Sequence, residues 1–363
     1  MPLRCQARRD LGGPPKRDRS CAASRAADAR GMPTSTDDRS AWKRELAQAF
    51  TRPADLLRHL GIERTKAGEM RAAAADFPML VPRGFAALMQ PGNPRDPLLV
   101  QVLPGVAELL DASGYCADPV DDDAARQAPG LLQKYAGRAL LVVTGACAIH
   151  CRYCFRRHFP YAEHASGQRF DAALAAIKAA PDLREVILSG GDPLMLDDEV
   201  LKRLIERLER VNHLHRLRLH TRLPVVLPSR VTNALCRLLT SSRLRPVLVV
   251  HANHPTELGA AAADALGMLV EARIPLLNQS VLLRGVNDDA DLLAALAERL
   301  FDLGVGNYYL HQLDRVTGAA HFEVSDDRAL QLVDTLRTRL PGYLLPRLVR
   351  EIAGASSKVP IVC

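Results

Sequence analysis

Long apolar runs are missing: no stretch approaches the roughly 20 residues needed to span a bilayer, so no membrane partner is expected. The first residues, MPLRCQARRD, lack the apolar stretch of a secretory signal, and the expected address is the cytoplasm. Cysteine is sparse, eight in 363 residues, and Cys5, Cys21, Cys116, Cys236 and Cys363 lie scattered, which excludes a paired disulfide framework. Lysine is scarcer still: only seven of the 48 basic residues are lysine. The net charge of +7 is unevenly placed, because residues 1–35 hold eight Lys or Arg against Asp10, Asp18 and Asp28. Little positive charge is left for the rest, so nucleic acid is not an expected partner. The Pro, Gly and Arg-rich lead, 1–35, reads as disordered or as an upstream start, with Met32 a candidate initiator.

What is present is a globular chain, 48% hydrophobic and 25% charged. Residues 36–130 offer capping residues and apolar positions at helical spacing and read as a mostly helical lobe. From Arg138 the rhythm changes. ALLVVT, EVILSG, RLRLHT, PVLVVHA, IPLLNQSVLL and GNYYLHQ are strand-like, and helical candidates fall between them near 170–180, 197–210, 230–241, 258–272 and 289–303. Strand then helix, about six times over, predicts an α/β core over 131–340 with a parallel sheet, because parallel neighbours need a crossover. A partial (β/α)6 barrel is the first expectation and a doubly wound sheet the second. Residues 341–363 form a C-terminal segment. In either fold the ligands gather at the carboxyl ends of the strands.

Three of the eight cysteines sit in one loop directly after the first of these strands: Cys147, Cys151 and Cys154 in TGACAIHCRYCFRRHFPY. Two readings stand side by side. A structural zinc would take His150 or His158 as its fourth ligand. An iron-sulfur cluster with three protein ligands would keep one iron open to a substrate or cofactor. At the end of the next strand, LSGGDPLM supplies Ser189, Gly190, Gly191 and Asp192, where glycines let the backbone come close to a neighbour. Near the C-terminus, GASSK presents Lys358 from a small-residue loop. In a chain that prefers arginine, a lysine marks a task arginine cannot do, such as condensing with a carbonyl.

The C-x3-C-x2-C loop with Tyr153 before its last cysteine, following strand one of an α/β repeat, resembles the radical S-adenosylmethionine enzymes. Together with SGGDPL, NQSVLLRGVND, YYLHQLDRVTGAAHF and the terminal lysine loop, it is similar to the lysine 2,3-aminomutase family over about residues 40–360, and specifically to its elongation factor P β-lysylation branch. The resemblance implies a 4Fe-4S cluster on Cys147, Cys151 and Cys154, S-adenosylmethionine on the open iron, and pyridoxal 5′-phosphate on Lys358. It implies that Ser189, Gly190, Gly191 and Asp192 receive the methionyl amino group, and that His251 and Gln279 contact S-adenosylmethionine. Lys134 and Arg138 would hold the phosphate of pyridoxal. Arg156 would pair with the substrate carboxylate through its guanidinium fork. Asp314 would hold the substrate ε-ammonium with Glu351, which stands where the family has aspartate.

The implied reaction is a radical 2,3-amino shift converting L-lysine to β-lysine, with an electron donor to reduce the cluster. In this branch the product goes to a ligase that attaches it to elongation factor P. A general lysine 2,3-aminomutase serving free β-lysine metabolism is the enzymatic alternative. A zinc-stapled binding protein is the non-enzymatic one. Some family members bind zinc between subunits through an extra cysteine; Asp289 stands at that position, so no such site is expected, and a homo-oligomer is left as a possibility.

Overall fold

The leucine- and valine-rich runs Arg138–Thr144 and Glu185–Gly190 become largely buried strands of a parallel sheet. The computed structural model describes residues 38–63, 67–164 and 170–362; the lead 1–35 lies outside them. Ten strands make one sheet: β1 (Arg126–Ala128), β2 (Leu131–Tyr135), β3 (Arg138–Thr144), β4 (Glu185–Gly190), β5 (Arg216–Thr221), β6 (Arg245–Val250), β7 (Leu276–Val281), β8 (Val305–His311), β9 (Arg347–Arg350) and β10 (Val359–Pro360). Their spatial order is their sequence order. Strands β3 to β9 are parallel, and antiparallel hairpins extend the sheet at both ends. An unreversed order is that of a singly wound, open barrel; a doubly wound sheet reverses direction at a switch point.

Helices Asp171–Ala179, Asp198–Glu209, Asn233–Thr240, Ala260–Glu271 and Ala290–Asp302 fall where the apolar spacing predicts crossovers. The helix at Asp198–Glu209 shows why: Val200, Leu201, Leu204, Ile205 and Leu208 form one buried stripe at three- and four-residue intervals. Asp289 accepts from the backbone N–H of Asp291 and Leu292 and caps the helix that follows it.

Before the sheet, helices Asp38–Ala47, Pro53–His59, Ala67–Asp76, Arg83–Ala86 and Pro97–Val100 pack onto it, and their Trp42, Leu56, Phe85 and Leu98 join the same apolar cluster as Leu188, Leu219 and Leu248. Residues 101–125 are mainly turns, and the helical expectation for 36–130 fails in that stretch because Pro, Gly and Asp recur there. The edge strands β1, β2, β9 and β10 and the helix Asp326–Arg339 also go beyond the sequence expectation. Two- to five-residue strands carry too little period to read, and that helix buries only Ala329, Leu332, Val333 and Leu336 among polar neighbours.

Candidate active site

A cavity of about 320 Å³ opens inside the barrel toward the carboxyl ends of the strands. Every site residue expected from sequence lines it. Cys147, Cys151, Cys154 and Arg156 come from the loop after β3, and Ser189, Gly190, Gly191 and Asp192 from the end of β4. His251 follows β6, Gln279 lies on β7, Asp314 follows β8, Lys134 and Arg138 belong to β2 and β3, and Glu351 and Lys358 flank the loop joining β9 to β10.

The cysteine loop is held from below by buried arginine. Arg152 is fully enclosed; its Nε donates to Glu108 Oε1 at 2.9 Å and its Nη1 to the Phe77 carbonyl at 2.8 Å. Arg157 donates to the other oxygen of the same Glu108 at 3.0 Å. These contacts tie the loop to the helical lobe. The three thiols form no disulfide. Burial, reinforced by Cys151, pushes Cys154 up to about 11, and burial with Cys154 pushes Cys147 up as well. Thiols gathered in a dry pocket become thiolates when a metal supplies the missing positive charge, which fits this donor set.

The zinc reading fits less well. His150 lines the cavity and His158 does not; each meets a backbone carbonyl through one ring nitrogen, His150 Nδ1 at 2.9 Å from Pro78 and His158 Nε2 at 3.2 Å from Thr317, which leaves the other nitrogen able to ligate. Among the described residues no three His, Cys, Asp or Glu side chains converge on a point, as a single ion requires. Thiols set round a many-atom cluster need not converge.

The Gly-Gly-Asp segment turns out to be built against the cysteine loop itself. Gly191 N–H donates to the Thr144 carbonyl at 2.7 Å and Asp192 N–H to that of Ala146 at 2.8 Å. A Cβ on Gly191 would stand 2.2 Å from the Ala146 oxygen, and one on Gly190, whose φ is +121°, 2.3 Å from that of Thr144. The Asp192 carboxylate is bonded internally, accepting from Thr221 Oγ1 at 2.8 Å and from the backbone of Arg222 at 2.7 Å. Burial still pushes it up to about 6. These bonds fix the carboxylate at the cavity wall, where an ammonium is expected.

At the far end of the cavity, Lys358 Nζ donates to Glu351 Oε2 at 2.6 Å and the Tyr135 hydroxyl to Glu351 Oε1 at 2.5 Å. Burial opposes the charge on Glu351, but Lys358, Tyr135 and Lys134 outweigh it and hold the carboxyl below its usual range. Asp314 differs. Burial, with repulsion from Glu351 and only partial relief from Lys358, pushes it up to about 7. His251 is driven down to about 3 by burial and by Arg222, so its ring is neutral beside the Tyr153 hydroxyl, 3.0 Å from Nε2.

Sequence reasoning missed Asp122, Tyr135, Arg222, His220 and His311. Asp122, in a run of three aspartates, is 2% exposed and accepts from Arg156 Nε at 2.7 Å; Lys134 Nζ stands 2.8 Å from its other oxygen. Arg156 thus arrives with Nε committed, its Nη1 reaching Ser189 Oγ at 3.3 Å. Lys134 also donates to the Val120 carbonyl at 2.5 Å, whereas the Arg138 guanidinium lies 4.5 Å from the Tyr135 ring centre. His220 and His311 line the cavity, and both buried Nε2 atoms lack a hydrogen-bond partner among the described residues.

The family model of the Radical SAM superfamily matches residues 141–297. The chain is similar to L-lysine 2,3-aminomutase of Escherichia coli (strain K12), 49% identical over 90% of this chain and 96% of that one. It is similar to the protein of the same name from Haemophilus influenzae, 46% identical over 87% and 94%. A third, from Buchnera aphidicola, is 43% identical over 88% and 95%.

Proposed function

The chain belongs to the L-lysine 2,3-aminomutase family, and from that premise we propose that this cavity moves the α-amino group of L-lysine to C3 with a cluster, S-adenosylmethionine and pyridoxal phosphate as cofactors. It is a radical SAM isomerase. The observation that carries the finer reading is the meeting of two chemistries in one cavity of about 320 Å³: three thiols at one end, and Lys358 with two carboxylates at the other.

When bound, the cluster and S-adenosylmethionine supply a carbon-centred radical, and the pyridoxal ring supplies the conjugation that lets nitrogen migrate. The residues do the rest by position and charge. Cys147, Cys151 and Cys154 would hold the cluster. Lys358 would hold pyridoxal phosphate through its amine. Arg156, fixed through Nε by Asp122, turns its remaining N–H groups to the substrate carboxylate. Glu351, kept charged by Lys358, and Asp314 meet the ε-ammonium, since an ammonium buried without a partner is costly by several kcal/mol. That requirement selects lysine over apolar amino acids of similar size. A one-electron donor must reduce the cluster, and the likeness in NQSVLLRGVND and YYLHQLDRVTGAAHF supports elongation factor P, through its ligase, as the destination of the β-lysine.

The test is anaerobic reconstitution with iron, sulfide and pyridoxal phosphate, followed by S-adenosylmethionine, dithionite and L-lysine. β-Lysine is the expected product. A cluster-loaded protein that leaves lysine unchanged overturns the reading. Loss of the β-lysyl mass on elongation factor P when the gene is deleted tests the destination separately.

A further inference from the structure

Arg222 is the first residue beyond β5, and nothing in RLRLHTRLPVV singles it out. Its guanidinium is buried and donates four times. Nη1 reaches Cys151 Sγ at 2.7 Å and the Tyr153 hydroxyl at 2.8 Å. Nη2 reaches Gln101 Oε1 and Glu257 Oε2, each at 2.9 Å. Its backbone N–H holds the Asp192 carboxylate at 2.7 Å. One residue thus joins a cluster cysteine, the Gly-Gly-Asp turn and the ends of two strands.

The partners are fixed in their turn. Glu257 is wholly enclosed, and its other oxygen accepts from Gln101 Nε2 and from the backbone of Asn253 and His254, each at 3.1 Å. The Tyr153 hydroxyl also accepts from Asn253 Nδ2 at 2.8 Å. A buried guanidinium anchored on so many sides keeps its place when the charge beside it changes.

Given the cluster assigned above to the three thiols, we infer that Arg222 is a positioning residue that sets the potential at which that cluster accepts its electron, with Glu257 as the opposing charge. Reduction adds one negative charge to the cluster. A cation in contact with a ligating sulfur stabilises the reduced form more than the oxidised form, and does so strongly where water is excluded. Arginine suits the task because it stays protonated across the working pH range. Glu257 limits the effect, so the two residues pull the potential in opposite directions.

The test uses the full chain, reconstituted anaerobically, with iron and sulfide counted before an EPR-monitored reductive titration with dithionite. Arg222→Met is expected to move the midpoint of the cluster to a more negative potential, Arg222→Lys to recover part of that shift, and Glu257→Gln to move it positive. An Arg222→Met protein with the parent's iron content and the parent's midpoint overturns the inference. Should that variant fail to hold iron, Glu257→Gln decides: a midpoint at or below the parent's overturns the inference. A parent protein that assembles no cluster overturns the cluster assignment itself, and the inference with it.

Discussion

Lys358 and Glu351 face each other across the terminal hairpin with their charged atoms 2.6 Å apart. The pairing of Val359 with Arg350 and of Pro360 with Val349 makes them the next opposed positions, so the register of a two-residue strand delivers the amine to its counter-charge. The Lys358 Nζ also lies 5.8 Å from the centre of the Tyr309 ring, which walls the same space.

Lys358→Gln should therefore leave fold and cluster intact while abolishing covalent retention of the aldehyde. Borohydride treatment of the pyridoxal phosphate-loaded parent, followed by peptide mass analysis, is expected to find the reduced adduct on Lys358. An adduct of equal yield on another lysine of the variant, such as Lys134, would count against the assignment.

Asp314 predicts a pH limb. A carboxyl pushed up to about 7 is mostly neutral at pH 6, and a neutral carboxyl does not balance an ammonium. KM for lysine should climb as pH falls through 7 and level off above it. Asp314→Asn should remove that limb and raise KM at pH 8 by about tenfold or more, the loss of a hydrogen bond to a charged group. Stability gives the opposite sign. A carboxyl whose folded pKa exceeds its unfolded one binds protons more tightly when folded, so stability declines as pH rises from about 4 to 7. Asp314→Asn should melt higher than the parent at pH 8 and gain less at pH 5, read by calorimetry without substrate.

Gly191→Ala should fail at cluster loading rather than at folding. Its Cβ meets backbone, the Ala146 oxygen at 2.2 Å, which cannot swing aside as a side chain tip can. The loop carrying Cys147 must shift. The expected result is a parent-like circular dichroism spectrum with iron content well below the parent's; full iron content would show that the loop accommodates the methyl group.

Much of this was legible in the chain itself. EVILSG and RLRLHT are β4 and β5 to the residue: β4 is a short, almost wholly buried run, and in β5 the buried Leu217, Leu219 and Thr221 alternate with less buried neighbours, the period of two that marks a strand. The three cysteines and Lys358 were equally plain, since tight Cys spacing and a lysine in an arginine-rich chain are local signals. Asp122 and Arg222 were not. Asp122 lies 34 residues from Arg156, and Arg222 lies 71 from Cys151, and no spacing rule relates charges that meet only after the sheet curls.

The sequence by itself determined which atoms are available for chemistry, the thiols, the amine and the carboxylates, and the alternation that winds them into a barrel; periodicity and residue type act over a few positions and need no distant partner. Only the tertiary structure decided which of these atoms share a cavity, which carboxyl stays charged and which is pushed toward neutrality, and that Thr221 and Arg222 fix the Asp192 carboxylate. Burial and counter-charge are properties of the assembled neighbourhood, and every one of those outcomes depends on them.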